Sequence, residues 1–113
     1  MPGLIASTSR LAGEPPVVDV RGELDLHTSP QLGRELASAF RDGADSVTVN
    51  LTGCEFLDSS TLTVLLRAQQ ELGRVSLVIA DPQILKVFEI TGFDRFFPIH
   101  ASLDEAASEP SCV

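Results

Sequence analysis

Tryptophan and tyrosine are absent from the chain, methionine occurs once and cysteine twice. The core therefore has to be built from Leu, Val, Ile, Ala and six Phe, a composition that suits an aliphatic interior. Cys54 and Cys112 form no Cys-x-x-Cys pair and have no companion ligand cluster, which excludes a disulfide framework and a zinc site. Cations are scarce: 8 Lys and Arg stand against 16 Asp and Glu, a formal charge of −8. Nucleic acid and anionic membranes both demand a basic surface, so the charge excludes them as main partners and points to a protein or a small ligand.

Long hydrophobic runs are missing as well. Val64-Leu65-Leu66 and Leu77-Val78-Ile79-Ala80 fall far short of the about 20 residues that a membrane span needs. Residues 1–12 lack a signal-peptide pattern, and the expected location is the cytoplasm. Neither Gly-x-Gly-x-x-Gly nor a Walker sequence is present, so no phosphate cradle and no cofactor are expected. At 113 residues the chain has room for one core. A single domain is expected over 1–108, with a flexible tail over 109–113.

What is present reads as alternating strands and helices. A weak strand over 4–11, a turn at Gly13-Glu14-Pro15-Pro16 and a stronger strand over 17–21 predict an N-terminal hairpin. His27-Thr28-Ser29-Pro30 offers cap hydroxyls and a proline suited to a first helical position. Leu32, Leu36, Ala39 and Phe40 then recur as one helical stripe, which Asp42-Gly43-Ala44-Asp45 ends. Val47 to Leu51 is a β-branched strand. A second helix starts at Ser60, carries Leu62, Leu65, Leu66 and Leu72, and stops at Gly73. A strand over 75–80, a helix from Asp81-Pro82 to Ile90 closed by Thr91-Gly92, a short strand over 96–99 and a last helix from Ser102 complete the order. Ser102 and Glu105 form a capping-box pattern at that last start. The alternation predicts an α/β fold: a mixed, mostly parallel sheet with right-handed crossovers, an N-terminal hairpin and about four helices.

Leu57-Asp58-Ser59-Ser60-Thr61 is the most informative stretch, because it places hydroxyls and a carboxylate where a buried strand hands over to a helix. The free backbone N–H groups and the dipole at that position favour negative charge, so a phosphate can be added there without melting the helix. From position alone, however, serines at a helix start are ordinarily caps. Asp25 follows a strand and falls at the same sheet edge as Asp58. Parallel strands gather their carboxyl ends there, which makes Glu23, Asp25, His27 and Thr28 candidate rim contacts for a partner that reads the serines. The alternative for Asp25 and Thr28 is that they only order the turn and cap the helix.

Ser60, His27 and Asp25 are also the ingredients of a hydrolytic triad. The chain lacks a Gly-x-Ser-x-Gly elbow, its other histidine, His100, lies near the far end, and a domain this small offers little room for a substrate pocket. No catalytic residue and no metal ligand is therefore assigned. Cys54 has no neighbouring base to lower its pKa and reads as an inert thiol. Phe88, Phe93, Phe96 and Phe97 read as core residues packing the third helix against the sheet edge.

Four segments, taken in order, carry a resemblance: Val20-Arg21-Gly22-Glu23-Leu24-Asp25; Thr28-Ser29-Pro30 opening a helix; Asn50-Leu51-Thr52-Gly53-Cys54-Glu55-Phe56-Leu57-Asp58-Ser59-Ser60; and Ile90-Thr91-Gly92-Phe93-Asp94. Over nearly its full length the chain resembles a STAS domain of the bacterial anti-sigma factor antagonist type. The resemblance implies that an anti-sigma factor, itself a serine kinase, phosphorylates the second serine of the Asp-Ser-Ser element, which is Ser60 here. Ser59 and Thr61 are the alternative acceptors, and Ser59 is read mainly as the cap. Unphosphorylated antagonist then binds the anti-sigma factor and frees a sigma factor; phosphorylation ends the binding, and a phosphatase resets the switch. The implied contact set is Glu23, Asp25, His27, Thr28, Asp58, Ser59, Ser60 and Thr61, on a monomer or weak homodimer. Family members usually carry glycine directly after the phosphorylated serine. Thr61 stands there instead, stiffening the turn, adding bulk and offering a third hydroxyl. A constitutive, unphosphorylated binding or sensor module is the alternative reading that this departure raises.

Overall fold

A computed structural model describes residues 4–9 and 15–107. Strand β1 (Leu4–Ser9) pairs antiparallel with β2 (Val17–Leu24), as the expected hairpin requires. Gly13 and Glu14 of the turn read at residues 13–16, the tail over 109–113 and Cys112 lie outside the described residues. Helix α1 (Ser29–Arg41), β3 (Ser46–Leu57), α2 (Ser59–Glu71), β4 (Arg74–Val78) and α3 (Pro82–Thr91) follow. A 3-10 turn (Phe93–Arg95), β5 (Ile99–His100) and α4 (Leu103–Ala107) complete the order. The sheet runs β1-β2-β3-β4-β5, with every pairing after the first parallel. This is the α/β fold, hairpin included, that the alternation predicts.

One face of the sheet carries the core. Val18, Val20, Val47, Val49, Leu51, Val75 and Leu77 lie buried in neighbouring register positions. Against them pack Leu32, Leu36, Ala39 and Phe40 of α1, the predicted stripe, together with Leu62, Leu65 and Ala68 of α2. Burying such side chains contributes about 1.5–3 kcal/mol each, so this face is the main source of stability. Phe88 of α3 and Phe97 join the same cluster, with their rings edge to face at 6.4 Å. Phe93 is half-buried and Phe96 is 52% exposed, so the aromatic group is core at one end only.

Several boundaries differ from the sequence expectation, for identifiable reasons. The central strand does not stop at Leu51 but runs to Leu57. Its buried positions there are Leu51, Cys54 and Leu57, a spacing of three that no regular strand pattern produces. The register explains it. Between Asp19 and Arg21, and again between Gly22 and Glu23, β3 contributes one residue more than β2. Each bulge turns the alternation by one position. Gly22 sits at the second bulge with φ 108°, a conformation that a side chain would strain.

Gly73 follows α2, yet its backbone is not left-handed. A Cβ there would meet the Phe40 ring at 2.6 Å and the Asp45 carbonyl at 2.9 Å, so close packing against α1 and the start of β3 is what requires glycine. Leu72, read as part of the apolar stripe, is 45% exposed. Strand β4 ends at Val78 instead of Ala80, and the last strand is Ile99–His100 instead of 96–99 because the 3-10 turn takes up Phe93–Arg95. At α4, Ser102 Oγ accepts the Glu105 N–H at 3.1 Å as the capping box requires, whereas the Glu105 carboxylate takes the Ala101 N–H at 3.3 Å.

The Gly73 contact is directly testable. Gly73→Ala is expected to destabilise the chain by about 1–3 kcal/mol, as overpacking does, and Phe40→Leu in the same chain should recover part of the loss. Urea unfolding of the variants measures both. A Gly73→Ala midpoint equal to the parent's would contradict the tight approach.

Candidate functional site

The carboxyl ends of β2 and β3 are register partners, Leu24 beside Leu57, so the loops that leave them start side by side. One atom joins these loops. The Leu24 carbonyl accepts the Asp58 N–H at 3.2 Å and the Thr61 hydroxyl at 3.2 Å. Thr61 is fully buried, which overturns its reading as a surface residue in contact with a partner and as an accessible third hydroxyl. Its β-branched side chain points down onto the end of β2.

Helix α2 is capped by Asp58, not by Ser59. Asp58 is extended, and its carboxylate accepts the Ser60 N–H at 3.0 Å while its carbonyl takes the Thr61 and Leu62 N–H groups. Ser59 is the first helical residue and exposed, and its carbonyl accepts the Thr63 hydroxyl at 3.1 Å. The correction has a simple cause: an Asp followed by two serines offers three competent caps, and the carboxylate, as the charged acceptor, binds its N–H more strongly. Ser60 is half-buried on the first turn, and among the described residues its hydroxyl makes no hydrogen bond.

The facing loop is ordered from within. Asp25 Oδ1 accepts the His27 N–H at 2.9 Å and the Thr28 N–H at 3.0 Å. The Thr28 hydroxyl donates to the Glu23 carbonyl at 2.7 Å and accepts the Asp25 N–H at 2.9 Å. Thr28 therefore gives α1 no side-chain cap; its hydroxyl closes the loop instead. The Thr28 N–H foremost, aided by the His27 N–H and the Thr28 hydroxyl and opposed by partial desolvation, holds the Asp25 carboxyl below its ordinary value. Asp25, Glu23 and Thr28 are half-buried, and His27 is exposed. Among the described residues the imidazole of His27 and the Ser60 hydroxyl share no hydrogen bond.

Two apolar residues at this edge escaped the sequence reading. Leu26 is 69% exposed at the tip of the Asp25 loop, and Phe56, the register partner of Glu23, is 49% exposed. The only signal for Leu26 was an apolar residue set between Asp25 and His27; the bulges concealed Phe56. Cys54 is buried, its thiol pushed up by burial and by the nearby Asp81 and Glu55 carboxylates. Among the described residues no cluster of His, Cys, Asp or Glu could hold a metal, and no helix is long and apolar enough to cross a membrane.

The hydrogen bonds rank the hydroxyls energetically. Thr61→Val, which keeps the shape and removes the bond to Leu24, is expected to cost about 1 kcal/mol. Thr61→Gly, which also empties the site and loosens the helix backbone, should cost about 2–3 kcal/mol. Asp58→Ala should cost about 1 kcal/mol as a lost cap, and Ser59→Ala less than about 0.5 kcal/mol. Chemical denaturation checks the series; a larger loss for Ser59→Ala than for Asp58→Ala would reverse the capping assignment. The depressed Asp25 pKa fixes a sign as well. Its contribution to stability is complete above the ordinary carboxylate value and is lost as the pH falls through the lowered value. Amide shifts of His27 and Thr28 followed by NMR during acidification should report that titration, and Asp25→Asn should abolish it.

Comparison with known proteins places this geometry. Residues 7–103 match the family model described as Mlab, STAS domain. The chain is 33% identical over 81 residues to the anti-sigma F factor antagonist of Lysinibacillus sphaericus, a match covering 67% of this chain and 69% of that one. An anti-sigma factor antagonist from Mycobacterium paratuberculosis superposes with a TM-score of 0.85 at 26% identity, over 95% of this chain and 96% of the other. The anti-sigma factor antagonist SpoIIAA in its unphosphorylated form superposes with a TM-score of 0.73 at 28% identity, over 90% and 92% of the two chains. By sequence and by fold, the chain belongs to the STAS domains of the anti-sigma factor antagonist family.

Proposed function

We propose that the chain is an anti-sigma factor antagonist that binds an anti-sigma factor with serine kinase activity, releases a sigma factor, and is switched off by phosphorylation of Ser60. The observation that carries the reading is the division of labour among the hydroxyls at the turn. Thr61 is buried and bonded to Leu24, whereas the Ser60 hydroxyl, the second serine of the Asp-Ser-Ser element, has no bond among the described residues. SpoIIAA, which is solved in a phosphorylated form as well, supports a phosphate on a fold of this kind; that form superposes with a TM-score of 0.66 at 28% identity.

The physics of the switch is local. A phosphate adds about −1.5 to −2 charges and three acceptor oxygens. It would stand beside Asp58, at an edge that also carries Asp25 and Glu23, with the exposed Leu26 and Phe56 supplying apolar contact area around it. Charge and bulk at the centre of such a surface end binding with no refolding step. Glu23, Asp25, His27, Thr28, Asp58 and Ser59 form the rim of the contact. Thr61 acts from beneath it, and its burial favours the switch over a constitutive module, because the bulk that replaces glycine faces Leu24 and not the partner. The chain then has no catalytic role of its own, a phosphatase resets it, and the exchange of partners takes place in the cytoplasm.

Binding of the cognate anti-sigma factor, measured by calorimetry, tests the reading. Ser60→Ala is expected to bind like the unmodified chain and Ser60→Asp at least about tenfold more weakly, as a charge placed within an interface does. Equal affinity of the two variants would sink the switch, and loss of phosphorylation in Ser59→Ala but not in Ser60→Ala would move it by one residue.

A further inference from the structure

Strand β3 outruns one of its two neighbours. Its pairing with β4 ends at Asn50 beside Val78, whereas its pairing with β2 continues to Leu57 beside Leu24. Residues 51–57 therefore form an arm with β2 along one side and, among the described residues, no strand along the other. The chain does not close that side after β4. The Ile79 N–H turns away to the His100 carbonyl, and Asp81 caps the start of α3. Strand β5 reaches no farther, since its last residue, His100, lies beside Val78. Among the described residues no backbone hydrogen bond joins residues 52–57 to residues 79–81.

Thr52, Gly53, Glu55 and Phe56 are exposed, two neighbours at a time, where a half-buried strand hides every second side chain. The second bulge contributes to this: Glu55 falls between the register partners Cys54 and Phe56 and has no opposite residue on β2. Negative charge gathers along the open side. Glu55 and Asp81 both help to push the Cys54 thiol up, which brings their carboxylates to the same stretch of β3. Glu23 is the register partner of Phe56, and Asp58 ends the arm; Arg21, beside Gly53, is the one cation of β2 in register with it. Phe56, 49% exposed, is the arm's outward apolar side chain. A bulge and a charge are the usual guards of an open strand. Here the charge is negative, so it repels a second chain of −8 and admits a cationic strand.

We infer that the open side of residues 52–57 takes an extended segment of the partner protein as an added strand, in the place that β4 leaves after Val78, and that this segment sets a Lys or Arg against Glu55 and Asp81. The inference rests on the reading that the chain binds an anti-sigma factor, and it names how one part of that partner is held. Main-chain hydrogen bonds to the arm attach the segment whatever its sequence. Selection comes from the charge pair and from an apolar side chain set against Phe56. Ser60 stands on α2 and not on the arm, so the added strand and the phosphate bear on different parts of one interface.

The complex of the full chain with its cognate anti-sigma factor tests this. NMR of the isotope-labelled chain in that complex is expected to show cross-strand NOEs from the backbone of residues 52–57 to the backbone of the partner. Calorimetry should find the affinity lowered by salt, and lowered at least about tenfold by Glu55→Lys. Glu89→Lys makes the same charge change at an exposed position near the end of α3 and should leave the affinity unchanged. Circular dichroism of both variants should match the parent. A complex without those NOEs, or one weakened equally by the two variants, would overturn the added strand and leave the antagonist reading standing. No complex with the unmodified chain would overturn both.

Discussion

The carbonyl of Leu24 is the joint on which the candidate site depends. It receives the Asp58 N–H and the Thr61 hydroxyl, and so fixes the start of α2 to the end of β2. Each bond alone is worth about 1 kcal/mol, but the geometry they impose is worth more than their sum suggests. Asp25, the next residue after Leu24, closes its own loop by accepting the His27 and Thr28 N–H groups. Two loops from different strands thereby become one surface, with Asp58 capping the helix and Ser60 standing on its first turn. A partner that docks there meets a preformed site, so little ordering entropy is left to oppose binding.

The substitution of threonine for the family's usual glycine takes on a different meaning in this light. On an exposed turn, a β-branched residue would obstruct a partner. Buried against Leu24, it stiffens the support beneath the serines while leaving the surface to smaller side chains. The same economy governs the rest of the edge: Thr28 gives its hydroxyl to loop closure instead of capping α1, and Asp58 does the capping that leaves the Ser60 hydroxyl unbonded.

Much of this was legible from the residues. The α1 stripe, the Asp81-Pro82 start and Gly92 close of α3, the hairpin and the mostly parallel sheet follow from local patterns that tertiary packing does not override. The bulged half of β3 was not legible, because two inserted residues convert the alternation into a spacing of three, and with it went Phe56. Capping could not be assigned among Asp58, Ser59 and Ser60 because each is chemically competent; the extended backbone at Asp58 and the stronger bond of its charged carboxylate decide together. The burial of Thr61 and the exposure of Phe96 depend on what lies opposite them, the end of β2 at Leu24 in the one case and the half-buried ring of Phe93 in the other. Gly73 announced a helix end in the sequence, but its reason is the ring of Phe40, which reaches it from another helix.

Ser60, presented on this braced turn, is the residue proposed for modification by a kinase. Incubation of the chain with ATP and each anti-sigma kinase of the same organism, followed by intact mass and peptide mapping, tests it most directly. The expected result is a single added phosphate on Ser60 and none on Thr61, whose hydroxyl is enclosed. A stable complex with one of those kinases and no phosphate, or a phosphate mapped to Thr61, would contradict it.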